Sequence, residues 1–158
     1  MFNYKKLKYK KKFLLLFSLS FLSLLQTSMK ALENSCDLQW QPAKLLSQGI
    51  NHYQYFMYHG GEVFMCQQGE YAHGLQVILL PLAYLEWDTA KLIWLFTNLI
   101  LVFLIPILLC KKFNVSNELT LFVLFIFLTC SPTRSAIYLG QHSLFTMFFF
   151  ILPFLYKN

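Results

Sequence analysis

Charge is scarce in this sequence. Only 13% of its 158 residues are Asp, Glu, Lys or Arg, about half the share usual in soluble domains. Apolar residues make up 57% of the chain, 17 Phe among them, and mean hydropathy is +0.50. That balance excludes a disordered tail and argues against an ordinary soluble globule. Arginine is scarcer still, with Arg134 the single example. Nor are the basic residues spread over a face. Lys5, Lys6, Lys8, Lys10, Lys11 and Lys12 carry the whole net charge of +6, and the remaining basic residues balance the acidic ones. A nucleic-acid-binding surface is therefore not expected. The four histidines, His52, His59, His73 and His142, lack metal-ligand spacing, and HExxH, CxxC and any repeat of fixed period are absent. No metal or other cofactor is expected.

What is present is long apolar runs. Crossing a hydrocarbon core of about 30 Å takes roughly 20 mostly apolar helical residues, and four segments meet that need. The first begins at Phe13 and continues through Leu32, behind a lysine block of the kind that marks a cytoplasmic flank. The second, Leu92–Cys110, holds no charge and is interrupted only by Thr97, Asn98 and Pro106. The third, Leu119–Cys130, is short and must borrow residues from Phe113–Glu118 or Ser131–Thr133. The fourth runs charge-free from Ala136 to Tyr156. Leu75–Leu85 is too short to span and reads as an interfacial helix. With that stretch not crossing, Lys5–Lys12, Lys111–Lys112 and Lys157 all fall in the cytoplasm, as the positive-inside rule asks. The expected fold is all-α and polytopic, with about four transmembrane helices and the N-terminus cytoplasmic. The N-terminal segment also has the layout of a signal peptide, but Gln26–Leu32 offers no clean small-x-small cleavage site, so an uncleaved anchor is favoured.

Two segments then lie outside: a large first loop of about residues 30–90, and a small turn at Ser131–Ala136. The large loop carries amphipathic pieces, Trp40, Leu45, Leu46 and Ile50, then Tyr53, Tyr55, Phe56 and Tyr58. Such aromatics suit interfacial helices anchored at headgroup level. Cys36 and Cys66 share this loop, where either a disulfide or two thiols is compatible with the sequence. Cys110 and Cys130, at helix ends, read as small apolar residues.

Polar groups beside a membrane are functional candidates by default, and three places on the expected external face qualify. Asp37 follows the first span. A carboxylate at the water boundary beside aromatics suits a general base, although "Asp-Leu-Gln-Trp" also reads well as a helix N-cap, the stronger reading on residue chemistry alone. Glu70, Tyr71 and His73, between Gly69 and Gly74, could bind a polar headgroup or sugar; equally, the glycines mark turns and Glu70 is a solvated helix-start charge. Arg134, among Ser131, Thr133 and Ser135, is suited to a phosphate or to snorkelling. Gly140, Gln141 and His142 follow it, the glycine permitting close helix approach and the other two adding donors within an apolar span.

Taken in order, these pieces resemble glycosyltransferase family 87, a bacterial family of polytopic mannosyl- and related transferases of the GT-C superfamily. The resemblance rests on Asp37; on Pro42-Ala43-Lys44-Leu45-Leu46-Ser47-Gln48-Gly49 with Tyr53; on Leu79-Leu80-Pro81-Leu82-Ala83-Tyr84-Leu85; on Ala90-Lys91-Leu92-Ile93-Trp94 with Asn98; and on Ser131-Pro132 with Leu139-Gly140-Gln141-His142-Ser143-Leu144. It covers about residues 33–150. It departs from the family at Tyr71-Ala72-His73, where a proline stands in the family pattern. The resemblance implies a hexosyltransferase moving sugar from a polyprenyl-phosphate donor to a hydroxyl of a lipid or glycan acceptor, at the outer face of the bacterial inner membrane. It makes Asp37 the catalytic candidate. Glu70, Tyr71, His73, Gln141 and His142 stand beside it as substrate-binding candidates by their side-chain chemistry, and Arg134 by its charge and side. Residues 1–12 form a basic cytoplasmic flank and residues 13–158 a partial GT-C-like membrane domain. Family members are much longer, so the chain corresponds to their N-terminal portion and implies a missing C-terminal half or a partner subunit. The alternative reading is a non-enzymatic membrane scaffold or subunit, in which the polar residues are packing devices. A small transporter is disfavoured because no charge sits in the middle of a span.

Overall fold

The computed structural model describes residues 4–59, 67, 71 and 73–156, with side chains from residue 14 onward except that of His73. Every regular element among them is a helix: α1 (Tyr4–Glu33), α2 (Trp40–Ser47), α3 (His52–Tyr58), α4 (His73–Ala83), α5 (Trp87–Lys112), α6 (Asn117–Thr129), α7 (Ser131–Leu139) and α8 (Ser143–Tyr156). Two of them, α1 over Leu14–Glu33 and α5, are long and apolar enough to cross a membrane. The pair α6 and α7 passes the same test together, with a bend of 54° between its halves. The chain is thus an all-helical membrane protein.

Membrane helices satisfy their polar groups internally, and three hydroxyls of α1 do so through its own backbone. Ser20, Thr27 and Ser28 return their hydroxyls to the carbonyls of Leu16, Ser23 and Leu24. Its Leu14, Phe17, Leu22 and Met29 remain exposed, a face suited to hydrocarbon. The narrow buried face, Thr27 and Ala31, packs on α6 and α7. The core between α1, α5, α7 and α8 is built from Ala31, Val102, Ile105, Ala136, Ile137 and Leu144. A second cluster, Leu38, Trp40, Ala43, Leu79, Ala83 and Trp94, fastens α2 and α4 over one end of α5.

The helices' directions follow from contacts at both ends. Trp94, near the start of α5, donates its indole N–H to the Gly140 carbonyl just before α8, at 2.7 Å. At the other end Lys112 Nζ donates to the Leu155 carbonyl at 3.3 Å. Helices α5 and α8 therefore run side by side in the same sense. Helix α6 returns antiparallel to α5 after the link that follows Lys112, and α7 continues upward beside α1.

Three sequence expectations are corrected here. Ala136–Tyr156 is not one continuous helix: α7 ends at Leu139 and α8 begins at Ser143. Gly140 adopts φ 72°, Gly140 N–H reaches the Ile137 carbonyl and Gln141 N–H that of Ala136 at 2.8 Å. This is a Schellman cap, which closes a helix with a left-handed residue. Secondly, Ser131–Ala136 is not a turn but the start of α7. The chain breaks one residue earlier, at extended Cys130, because Pro132 has no N–H to continue α6 and its ring crowds the preceding turn. Finally, Trp40 is not a headgroup anchor. It is 8% exposed, and its indole N–H is shared between the Leu82 and Leu85 carbonyls at 3.2 Å.

Candidate active site

The segment between α1 and α2 carries Asp37 and is held in an unusual conformation. Ser35 and Gln39 both have positive φ, 43° and 61°, a region that costs non-glycine residues of order 1 kcal/mol or more. Two contacts maintain it. Asp37 N–H donates to the Leu139 carbonyl at 2.8 Å, and Ser35 sits against Gly140, where a Cβ would come within 3.4 Å of the serine side chain. Helix α2 starts only at Trp40, with Gln39 at its cap position, so the Asp37 carboxylate is not spent as an N-cap.

That carboxylate instead accepts a hydrogen bond at Oδ2 from the Tyr71 hydroxyl, 3.1 Å away. The Tyr71 ring meets the His142 ring edge-on with centroids 5.4 Å apart. His142 in turn lies 5.0 Å from the Trp94 ring. Of the sequence candidates, the structure thus brings Asp37, Tyr71 and His142 together, although 34 residues separate the first two and 71 the last two. Gln141 adjoins them, half-buried, its N–H capping α7. His73 opens α4. Glu70 lies outside the described residues, as does Cys66, and with it the Cys36–Cys66 pairing.

Arg134 is placed differently. It lies in the first turn of α7, five residues before Leu139, or about 7.5 Å along the axis. Its guanidinium donates to Thr27 Oγ1 and Gln26 Oε1 of α1, both at 3.3 Å. Both acceptors are neutral, and no carboxylate pairs with it among the described residues. Arginine stays charged at ordinary pH, and its planar donor fork is of the kind that fits a carboxylate or a phosphate.

Two further buried polar residues, on the helices beside these groups, were passed over as candidates in the sequence. Asn98 is fully buried on α5, one turn beyond Trp94, and neither its Oδ1 nor its Nδ2 has a partner. Its signal was available as the lone amide of a charge-free span. Gln76 on α4 is also fully buried, and its amide reaches the Tyr71 carbonyl. Nothing in the sequence distinguishes it from a solvated helix residue.

His142 lies in the break between α7 and α8, outside the spanning helices. Burial pushes its imidazole down from 6.5 to about 4, against the opposing pull of the Asp37 carboxylate and the Leu38 backbone. Neither ring nitrogen has a hydrogen-bond partner of good geometry. The ring is therefore neutral at pH 7 and offers one donor and one acceptor. Because the folded pKa lies below the unfolded one, the unfolded state takes up the proton first. Stability on this account falls as pH drops from about 6.5 to about 4, by on the order of 3 kcal/mol. The expected result is a detergent-solubilised protein whose melting temperature declines across that window, with the decline reduced in His142→Asn. An identical pH dependence in that variant would remove His142 as the cause.

The described residues thus form an all-helical apolar framework that gathers a carboxylate, a phenol and a neutral imidazole at one end, the outline of a membrane protein with one polar cluster. The family follows from comparison. A model of glycosyltransferase family 87 matches residues 72–158, more than half of the chain, and the chain belongs to that family. The match takes in α4 through α8, with His142, Trp94, Asn98 and Arg134, and begins after Asp37. Searches of curated proteins and of solved structures found no match.

Proposed function

We propose that this chain acts as a membrane hexosyltransferase, moving a sugar from a polyprenyl-phosphate donor to the hydroxyl of a lipid or glycan acceptor. Asp37 takes the acceptor proton, and the developing charge on the leaving phosphate falls to Arg134. The observation that carries the reading is the convergence on one carboxylate: Asp37, fixed by the Leu139 carbonyl and the Tyr71 hydroxyl, beside a neutral His142, in a chain of a glycosyltransferase family. A base on the acceptor side and charge stabilisation at the leaving group are what glycosyl transfer from a phosphate requires. Arg134, tied only to neutral acceptors, keeps its charge available for the second task.

The reading includes four crossings, α1, α5, the bent pair α6–α7, and α8, in the bacterial inner membrane with the N-terminus inside. The shared sense of α5 and α8 supports this, because it sets Lys111, Lys112 and the C-terminal end of α8 at one end of the bundle. Helix α8 is an apolar helix of 14 residues, about 21 Å in length. Asp37 then faces the outside.

The test uses the full chain in sealed membrane vesicles supplied with radiolabelled polyprenyl-phosphate mannose. Label is expected in a lipid or glycan product when donor and acceptor meet the outer face, and little when only the inner face is supplied. Transfer confined to the inner face, or no transfer at either, overturns the reading.

A further inference from the structure

A carboxylate that takes a proton must be held still, and the hydrogen bonds behind Tyr71 do this for Asp37. The Tyr71 carbonyl accepts two of them, from the Tyr53 hydroxyl at 2.6 Å and from Gln76 Nε2 at 3.3 Å. A carbonyl only accepts, so the Gln76 atom facing it must be the NH2 group. The other proton of that group points at His52 Nε2, 2.8 Å away, which must accept it, placing the imidazole proton on Nδ1. His52 and Gln76 are fully buried, where such a hydrogen bond is stiff and costly to break. The backbone of Tyr71 is thereby clamped from α3 and α4, while its phenol holds Asp37 Oδ2.

We propose that Tyr53 and Gln76, the latter oriented by His52, are positioning residues that act on Asp37 through Tyr71. This rests on the reading of Asp37 as the base. Neither residue touches the carboxylate; each fixes the main chain of Tyr71, whose hydroxyl does. Their removal lets the carboxylate shift relative to the acceptor hydroxyl without changing the groups that bind substrate. A displacement of about 1 Å at a reacting atom can cost of order 100-fold in rate. The loss of one of two clamps is smaller, roughly tenfold in kcat.

The experiment measures transfer of mannose from radiolabelled polyprenyl-phosphate mannose by the full chain in vesicles, for Tyr53→Phe, Tyr71→Phe, the two together, and Gln76→Leu. Tyr53 is partly exposed, so its variant keeps the fold even if loss of buried Gln76 does not. Tyr53→Phe and Tyr71→Phe each lower kcat roughly tenfold with acceptor KM within about twofold. The double variant is no slower than Tyr71→Phe alone, because Tyr53 then has nothing left to act through. Wild-type kcat in Tyr53→Phe, or losses that multiply in the double variant, overturns the inference. The two readings fail separately. An active Asp37→Asn removes the proposed base and this inference with it, whereas an inactive Asp37→Asn beside an unaffected Tyr53→Phe removes only the positioning role.

Discussion

Asp37→Asn abolishes sugar transfer while leaving the protein inserted and folded. The side chain's contacts explain both halves of this expectation. An asparagine carbonyl oxygen replaces Oδ2 as acceptor for the Tyr71 hydroxyl, and the main-chain bond from residue 37 to Leu139 does not depend on the side chain. What is lost is the ability to take a proton, and a positioned general base contributes roughly 100- to 10,000-fold. The fall is expected in kcat, with KM for donor and acceptor nearly unchanged, because an amide fills the same volume. Asp37→Glu retains the chemistry but moves the oxygens by one methylene, so an intermediate loss is expected. A rate in Asp37→Asn within a few-fold of wild type would take Asp37 out of the mechanism.

The second large effect concerns stability. Gly140 carries φ 72° at the cap of α7, its carbonyl accepts the Trp94 indole N–H, and its Cα side faces Ser35. Gly140→Ala costs about 1 kcal/mol, since an added Cβ is strained by φ while the contact to Ser35 at 3.4 Å is tolerable. Gly140→Val adds branching at Cβ in a conformation β-branched residues avoid, and directs bulk at the Ser35 backbone; a loss of roughly 2–3 kcal/mol follows. In a protein of this size that lowers the melting temperature by roughly 5–10 °C. An unshifted melting temperature for Gly140→Val would contradict the cap. The same site reflects on a scaffold role. Its close approach is to Ser35 of the same chain, so a bulky residue here disturbs the fold itself rather than a contact with another protein.

The long apolar helices were legible because hydropathy integrates over many residues; α1 and α5 fall where composition puts them. The grouping of Asp37, Tyr71 and His142 was legible only as a shared side of the membrane, and the contacts needed the fold. The α7–α8 break was missed for a specific reason. Glycine serves both close helix packing and the left-handed cap, and the apolar run on either side of Gly140 favoured the first. Both uses occur at this one residue. Arg134 was read as part of a turn because Ser131–Ala136 lies between two apolar runs taken as separate spans, yet a Ser-Pro pair also starts helices. Trp40 was read as an interfacial ring because its burial partners, Leu82 and Leu85, lie more than 40 residues away.

The kink at Cys130 divides the bundle mechanically. Below it, α6 follows α5. Above it, α7 is fastened to the α1 segment at both ends, by Arg134 to Gln26 and Thr27 and by Leu139 to Asp37. Helices α1 and α7 are therefore tied into one pair, and that pair carries both the Asp37 main chain and Arg134. Its link to α6 is a single extended residue, while the Trp94 indole joins it to α5 through the Gly140 carbonyl. The carboxylate and the arginine thus share one support, the α1–α7 seam, rather than being presented by separate parts of the bundle.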